Sequence, residues 1–477
     1  MRPAPSHRRP LLLFLLAVCA LLAVLAGGGA WVAAAPAPAP AASPQAPQEP
    51  DVESEQTGEA QEDRVQVVLE TDRMRDLIRL AFPQIEGVGR FGGPLGQAAR
   101  QLDSTVRNDL EMTRIFRIHG PWAFGALDLT GDRAHDFEQY RSLGDEIVIL
   151  GEVRPERDRL VFEGRVYDLA SGQAILAKRY RGPASAARRM AHTFADEVVE
   201  FLAGRRGIAL TRIAFTSDRT GGGDKEVWVM DYDGANQRQI TAHRSTSMSP
   251  SWAPSSAWLA YTSFVGGAPG IYRADLASGR KTPLFTEGEQ NSSADVSPDG
   301  RRVAFSRAVG ANMEIFVADV GGGNLRRLTH SSAIDANPAW SPTGAEIAFT
   351  SNRAGNPHVY VMDAEGTNVR RISSAGTYND GAAWSPEGDR LAYASRRRGT
   401  FDVAITDLVS LATQVLTSGA GSHEEPTFSP DGRRIAFSST RSGSKQIWVM
   451  DADGGNPQAL TGQGNNGSPA WSPYPAR

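Results

Sequence analysis

Short apolar runs recur along the C-terminal half of the chain at a nearly constant spacing. In a typical repeat an aromatic residue precedes Ser-Pro and a tight turn, after which large apolar residues alternate with alanine, as in NPAWSPTGAEIAFTS at 337–351. A fixed period of this kind predicts a repeat architecture. The repeat prolines stand 44, 44, 44, 44 and 43 residues apart, at Pro254, Pro298, Pro342, Pro386, Pro430 and Pro473.

Each repeat is predicted to supply four strands. The turn has Ser at its first position, Pro at its second and Gly at its fourth, as in SPDG at 297–300, which a type I turn favours. The apolar runs on either side of it therefore form a hairpin. Alternation of large residues with alanine in the second strand indicates that both of its faces are buried. A third apolar run and a short fourth segment follow, which is the content of a propeller blade.

The two ends of the array predict that it closes on itself. The first Ile-Ala-Phe run, at 213–215, has no Trp-Ser-Pro before it, and the last Trp-Ser-Pro, at 471–473, has no Ile-Ala-Phe after it. A C-terminal strand at 470–471 would complete a blade whose other three strands come from 211–241, and no sheet edge would stay open. We predict an all-β six-bladed β-propeller over residues 205–477.

The N-terminal part of the chain divides by composition. Residues 1–34 combine three arginines with an unbroken apolar run at 11–26 and small residues near the expected cleavage point, which predicts a signal peptide. The apolar run is also long enough for a retained membrane anchor. Residues 35–63 are rich in Pro, Ala, Gln and acids, and we predict a flexible linker there.

Residues 64–204 are predicted to form an α+β domain ahead of the propeller. Apolar positions at helical spacing predict helices at 95–110 and 187–202, the second ended by Gly204. Denser apolar runs predict strands at 65–69, 77–82, 147–153, 160–167 and 174–180.

Charge and cysteine content exclude some classes of function. Cys19 is the only cysteine and lies in the predicted leader, so the mature chain is expected to have no disulfide. Loss of the three leader arginines would take the formal net charge from −4 to −7, which argues against nucleic-acid binding. The mature form is expected to have no direct membrane span.

No motif in the sequence demands catalysis. The eight histidines form no HExxH motif, and no GxSxG nucleophile elbow is present. His192 and Asp196, four residues apart on one helix, are interpreted as a pair that locks the two domains rather than as a base and its orienting carboxylate. The run His423-Glu424-Glu425 is interpreted as a solvated loop rim rather than a metal site. The repeat tryptophans are predicted to pack in the core rather than to stack on a sugar, and they stand at Trp252, Trp340, Trp384 and Trp471.

One face of the predicted propeller carries the most informative surface. The connections between blades must finish at the mouth of the central channel, and they are rich in Asn, Asp, Glu and Ser. Loops on a rigid scaffold are where recognition usually occurs. The predicted mouth loops are 245–250, 289–294, 335–338, 378–382, 423–426 and 465–469.

An arginine recurs at one register on the same face. It stands four residues after the Phe or Tyr of the second strand, at Arg219, Arg353, Arg397 and Arg441. A structural role, in which each arginine pairs with an acid or a carbonyl of a neighbouring loop, is the favoured interpretation. A ring of groups for ligand binding is the alternative.

The arrangement resembles the TolB family, the periplasmic component of the Tol-Pal system. The leader, the α+β domain and the six repeats all match, and the resemblance covers about residues 64–474. The three passages that carry it are GDEIVILG at 144–151, AHTFADEV at 191–198 and PAWSPY at 469–474. The resemblance implies a non-enzymatic periplasmic protein that supports outer-membrane integrity and constriction at cell division.

The resemblance also implies partners and the residues that contact them. The mouth face is expected to bind the lipoprotein Pal, and the N-terminal segment is expected to bind TolA. Gln290 stands where TolB proteins can have histidine. Other outer-membrane proteins or lipoproteins are possible further partners. The expected Pal-binding residues are Gln290, Asn291, Ser293, Asp335, Ala336, Asn337, Tyr378 and His423, and the expected TolA-binding residues are Val65, Val67, Val68 and Leu69.

Two other classes of function stay open at this point. One is a metal-dependent, lactonase-like or glycan-acting propeller enzyme, which needs several acids or amides converging inside the channel. The other is a sugar-binding module. No cofactor is expected, except that acidic mouth residues could collect a calcium ion with backbone carbonyls. The calcium candidates are Glu289, Asp335, Asp380, Glu424 and Glu425.

Overall fold

A computed structural model describes residues 52–56 and 77–476 of the chain. These residues form two compact units. One contains residues 52–56 and 77–211 together with the three residues 231–233, and the other contains residues 212–230 and 234–476. The predicted signal peptide and the predicted strand at 65–69, with Val65, Val67, Val68 and Leu69, lie outside the described residues.

The first unit is built on a mixed six-stranded sheet. Its strand order is β1-β6-β5-β4-β2-β3, in which β2 pairs in parallel with β3 and β4, and the pairs from β4 to β1 are antiparallel. The strands are β1 (Glu53–Gln56), β2 (Ile78–Ala81), β3 (Phe116–His119), β4 (Ile147–Glu156), β5 (Arg159–Asp168) and β6 (Ala174–Pro183). The helices are α1 (Gly93–Met112), α2 (Arg133–Ser142) and α3 (Ala187–Ala203).

The sheet of this unit is covered on both faces. Alternate residues of β4 point to opposite sides, so that Ile147 and Ile149 pack with α1 and α3 while Val148 packs with α2. The predicted helices and the predicted strands within residues 77–211 are confirmed, and α3 ends where Gly204 adopts a left-handed φ of 64°. Strand β3 and helix α2 were not predicted, because their sequences have little apolar periodicity. Among the described residues, no helix is long and apolar enough to cross a bilayer.

The linker prediction is wrong for residues 53–56. They form β1, which pairs antiparallel with β6, at the edge of the sheet. The composition of this segment is typical of disorder, but a strand needs only an open edge and matching side chains to pair. Strand β6 carries Lys178, Arg179 and Arg181, whose positive charges suit pairing with an acidic strand.

The second unit is a six-bladed propeller, as predicted. Each blade is an antiparallel sheet of four strands. From the channel outward, the blades are β10 (Ser247–Trp252) to β13 (Lys281–Phe285), β14 (Asn291–Val296) to β17 (Arg326–Arg327), β18 (Asp335–Trp340) to β21 (Arg370–Arg371), β22 (Asn379–Trp384) to β25 (Thr413–Val415), and β26 (His423–Phe428) to β29 (Gln458–Ala459). The intervening strands are β11 (Trp258–Ser263), β12 (Gly270–Asp275), β15 (Arg302–Val309), β16 (Asn312–Asp319), β19 (Glu346–Ala354), β20 (Asn356–Asp363), β23 (Arg390–Arg397), β24 (Thr400–Asp407), β27 (Arg434–Ser442) and β28 (Ser444–Asp451).

The sixth blade joins the two ends of the repeat array, as predicted. Its strand order is β30-β7-β8-β9, so the C-terminal strand is innermost. In the register Trp471 lies opposite Ile213 and Ala470 opposite Ala214. The four strands are β30 (Asn466–Trp471), β7 (Arg212–Ser217), β8 (Glu226–Asp231) and β9 (Arg238–Gln239).

The propeller core lies between neighbouring blades. In β15, Phe305 packs toward the blade that precedes it and Ala304 toward the blade that follows, which confirms that both faces of the second strand are buried. The four repeat tryptophans are buried, with at most 9% of their surface exposed. The indole N–H of Trp252 donates to the carbonyl of Ala470, and that of Trp384 donates to the carbonyl of Ala339. The predicted core role of these tryptophans is confirmed.

Candidate functional site

The six inner strands form a closed ring in which each contacts the next. They all begin at the same face, and we call that end of the channel, with the loops that precede the inner strands, the mouth. The first residue of each inner strand is polar and buried, which is unusual for a strand in a protein interior. These residues are Asn466, Ser247, Asn291, Asp335, Asn379 and His423.

The third residue of every inner strand has a left-handed backbone. Its φ lies between 47° and 67° in all six strands, and the pairing with the second strand shifts register there. This β-bulge turns the backbone N–H toward the neighbouring blade. The N–H of Ser293 donates to Thr262 Oγ1 at 3.0 Å, and the N–H of Asn337 donates to Ser306 Oγ at 3.0 Å. Bonds between blades therefore fix the mouth residues in place.

The predicted mouth loops are largely strand residues, so their prediction as loops is wrong. Most of 289–294 belongs to β14, and all of 335–338 belongs to β18. The small and polar residues of these strands resemble loop composition because they sit at a bulge beside a channel rather than in an apolar core. Of the eight expected Pal-binding residues, Asn291, Asp335, Ala336 and His423 are buried. Gln290, Ser293, Asn337 and Tyr378 keep partial exposure and are the ones able to meet a partner.

The recurring arginines have mainly structural contacts. Arg353 lies over the ring of Tyr360 and makes two hydrogen bonds to the carboxylate of Asp335, at 3.0 and 3.2 Å. Arg219 lies over Trp228 and donates to Asn466 Oδ1 at 3.0 Å. In both blades the arginine thus holds the first residue of the inner strand, which supports the structural interpretation. Arg441 lies over Trp448, and Arg397 is exposed.

The run 423–425 is not a solvated rim, so that interpretation is wrong. His423 is fully buried, and its Nδ1 lies 2.9 Å from Ser439 Oγ. Burial, the largest effect, lowers the pKa of His423, and the nearby Arg441 lowers it further. Acids outside a ligand-spaced motif usually face water, but Glu424 and Glu425 lie on the inner strand β26.

Lys445 joins the two neighbouring acids. Its Nζ lies 3.2 Å from both Glu424 Oε2 and Glu425 Oε2. Burial alone would raise the pKa of Glu425, but the Lys445 ammonium, the backbone N–H of Ser468 and the hydroxyl of Ser438 outweigh it and lower that pKa to about 2. Sequence analysis did not identify this cluster, because Lys445 lies 21 residues after Glu424 and 20 after Glu425 and the three residues belong to no motif.

Replacing Lys445 with methionine is expected to destabilise the propeller, because Glu425 would lose its counter-ion. The side chains of Lys445 and Glu425 keep 27% and 37% of their surface exposed, so we expect a loss of about 1–2 kcal/mol, less than for a fully buried pair. The effect should be smaller in acid, since stability from Glu425 is fully present above its ordinary pKa of 4.5 and is lost as the pH falls through about 2. Urea unfolding at pH 7 and pH 3 measures it. An equal loss at both pH values would contradict this assignment.

The calcium candidates are spread over four blades, and all but Glu289 have partners within the propeller. Asp335 pairs with Arg353, and Asp380 Oδ1 accepts hydrogen bonds from Asn337 Nδ2 and Thr350 Oγ1. Glu289 is exposed in the segment before β14. Within residues 52–56 and 77–476, no group of three or more His, Cys, Asp or Glu side chains is arranged to hold a metal ion. The calcium site stays a prediction, and no geometry among these residues supports it.

Asp295 is a channel carboxylate that the sequence did not single out. Its Oδ1 accepts from Ser251 Oγ at 2.8 Å and its Oδ2 accepts from the backbone N–H of Trp340 at 2.7 Å. It thereby connects the inner strands of three consecutive blades. Burial raises the pKa of Asp295 to about 6. The fifth residue of the inner strand is Ser, Ala or Thr in the other blades. An acid at that position in one blade only is the sequence signal that could have identified Asp295.

His192 and Asp196 do not pair with each other, so their interpretation as a helix pair is wrong. Both lie in the first unit, where His192 Nδ1 contacts Asp109 Oδ2 of α1 at 2.7 Å. Asp196 instead accepts the backbone N–H groups of Ala209 and Leu210. Residues four apart on a helix share a face, but the partners available on the packed elements decide which contacts form.

The propeller unit belongs to the class of closed six-bladed β-propellers, and bonds between its blades fix a polar mouth. The family model described as the TolB beta propeller domain matches residues 199–475, more than half of the chain. The model described as the TolB amino-terminal domain matches residues 71–175. The chain therefore belongs to the TolB family.

Known relatives agree with this assignment. The chain is 34% identical over 191 residues to a TolB homolog of Chlorobium chlorochromatii, which is 40% of this chain and 43% of that protein. It is 37% identical over 198 residues to the Tol-Pal system protein TolB of Desulfosudis oleivorans, which is 41% of this chain and 45% of that protein. The aligned part thus spans less than half the length of these relatives. The crystal structure of TolB from Acinetobacter baumannii has the same fold, with a TM-score of 0.71 and 24% identity over 84% of this chain and 97% of that one.

Proposed function

We propose that this protein is a non-enzymatic periplasmic scaffold of the Tol-Pal system. The observation that carries the proposal is the pair of family matches, which lie on both units and cover residues 71–175 and 199–475. The name of the Desulfosudis oleivorans relative supports placement in that system.

In this proposal the mouth binds Pal. Support comes from the construction of the mouth, where bulged inner strands hold polar residues at fixed positions before any partner arrives. A site that is already ordered loses less conformational freedom on binding. The accessible residues Gln290, Ser293, Asn337 and Tyr378 would make the contacts. The buried residues Asn291, Asp335, Ala336 and His423 would hold them in position.

The N-terminal segment would bind TolA. The proposed contact residues Val65, Val67, Val68 and Leu69 form a short apolar run, which suits pairing with a strand or an apolar groove of a partner. Binding Pal at the mouth and TolA through the N-terminal segment would connect the outer membrane to an energised inner-membrane complex. That connection would support outer-membrane integrity and constriction at cell division.

A pull-down from detergent-solubilised envelope of the source organism tests this function. The mature protein is expected to retain a Pal-type lipoprotein and TolA. The Gln290→Arg variant should lose Pal but keep TolA. Gln290 is a partly exposed mouth residue that directly precedes β14, so the new side chain can extend from the mouth without entering the core. Absence of both partners from the wild-type sample would contradict the proposal. Retention of Pal by the folded Gln290→Arg variant would move the Pal site away from the mouth.

A further inference from the structure

The acidic segment around β1 has a strict two-residue period over residues 49–55. Glu49, Asp51, Glu53 and Glu55 occupy alternate positions, with Val52 between two of them. Alternation of this kind puts the acids on one face of an extended strand. A purely solvating linker has no need of such a period, since its charges act in any order.

The pairing of β1 with β6 uses this period. Glu53 lies opposite Arg181 and Glu55 opposite Arg179, so both acids of β1 stand across from an arginine. Opposite charges at directly paired positions stabilise an antiparallel pair and disfavour a shift by one residue. The charge pattern therefore specifies the register of β1.

The side chains at the start of the strand confirm which face is which. Val52 packs against the apolar cluster under the sheet, where Tyr180 of β6 also lies. Glu53 points to the other face, where its carboxylate lies 2.8 Å from Arg159 Nη1 and 3.7 Å from Arg181 Nη1. The strand is thus bound by main-chain pairing, by one apolar contact and by two arginines.

Without β1, the edge of β6 would be open and strongly basic. Arg179 and Arg181 alternate along it, and Arg159 stands next to them on β5. The nearby acids Glu163 and Glu156 only partly balance these charges. An open edge with alternating positive charge favours an extended acidic strand over a neutral or basic one.

We propose that the outer edge of β6 is a docking site for an extended strand with acids at alternate positions, and that residues 52–56 of the same chain occupy it. Main-chain hydrogen bonds supply affinity, and the arginines supply register and selectivity. The acidic occupant leaves an acidic outer edge, which repels a second acidic strand and so ends the sheet. A peptide of the same pattern binds in trans once the chain's own strand is released.

Charge reversal and charge exchange in the full mature chain test the occupant. We expect Glu53→Lys with Glu55→Lys to speed amide hydrogen exchange of residues 178–182 about tenfold or more, because β1 leaves the edge. Adding Arg179→Glu with Arg181→Glu should restore protection, since the charges match again. Glu59→Lys with Glu62→Lys is the control, because it makes the same charge change in the same segment but outside β1. Equal exchange in the wild type and the Glu53/Glu55 variant would overturn the proposal.

A peptide titration tests the docking site itself. A labelled peptide with the sequence of residues 47–58 should bind the Glu53→Lys, Glu55→Lys chain and bind at least about tenfold more weakly to the wild type, whose edge is filled. A peptide of the same composition with its acids placed side by side should bind more weakly than the native order. Equal affinity for the two peptides would show that only net charge matters, and it would overturn the proposed docking site. A dimer of the wild-type chain in light scattering, lost on Glu53→Lys with Glu55→Lys, would overturn occupation in cis and identify a second copy as the source of the strand.

Discussion

Removal of β30 is expected to unfold the propeller at a much lower temperature than the intact chain. A chain ending at Asn465 loses the inner strand of the sixth blade, which exposes the edge of β7. It also loses the buried side chain of Trp471 and the carbonyl of Ala470 that accepts the indole N–H of Trp252. The blades on both sides of the gap then lose their neighbour, so the effect exceeds that of a single core substitution.

The single substitution Trp471→Ala isolates one part of this effect. Truncation of a large buried aromatic residue costs about 3–5 kcal/mol, so a melting temperature lower by roughly 10 °C is expected. Trp122→Ala is the matched control, because Trp122 is 81% exposed and its removal leaves no cavity. Differential scanning calorimetry of the three chains gives the comparison. An unchanged melting temperature of the propeller after removal of β30 would contradict closure through the C-terminal strand.

Replacement of His192 is expected to have the second largest effect. Asp109 is almost fully buried, and its carboxylate accepts hydrogen bonds from His192 Nδ1 and from Tyr232 Oη. His192→Ala leaves this buried charge with the tyrosine alone, a change that costs about 3–5 kcal/mol. His135→Ala serves as the control, since His135 lies on an exposed part of α2. Equal urea midpoints for the two variants would contradict the role of His192.

The same contact predicts how stability depends on pH. Burial lowers the pKa of His192, but the Asp109 carboxylate, with help from Asp231, outweighs burial and raises it from 6.5 to about 9. A histidine whose pKa is raised by folding stabilises the folded state fully below pH 6.5 and loses that contribution as the pH rises through 9. The difference corresponds to about 3 kcal/mol. Unfolding free energies measured from pH 6 to pH 10 should fall in the wild type and change much less in His192→Gln. A flat profile in the wild type would contradict the assignment.

The repeat predicted the propeller well because its signals are local. A Ser-Pro-Asp-Gly turn and an alternation of Phe with Ala each depend on a few neighbouring residues, and six copies reinforce one another. The position of β30 was also predicted from the sequence, since the incomplete repeats at the two ends of the array together make one complete blade. Strand β1 escaped prediction because its partner, β6, lies more than 120 residues away and its composition resembles a linker.

The mouth was predicted less completely than the fold. The segments predicted from the sequence do lie at the mouth. The sequence could not separate the accessible Gln290 from its buried neighbour Asn291, because a bulge decides which side chains face the channel. Pairs such as Glu425 with Lys445 and His192 with Asp109 depend on contacts between distant segments. Such contacts cannot be predicted from charge and spacing along the chain, because neither residue of the pair belongs to a repeated motif.

Titration of the soluble domain of Pal into three variants tests the central claim, that the mouth is the recognition face, most directly. Gln290→Arg and Ser293→Arg place a long charged side chain on the mouth, while Glu387→Arg places the same side chain on an exposed turn at the opposite end of the strands. With native melting of all three chains, the account predicts wild-type affinity for Glu387→Arg and affinity at least about tenfold weaker for the two mouth variants. Wild-type affinity in all three would contradict it.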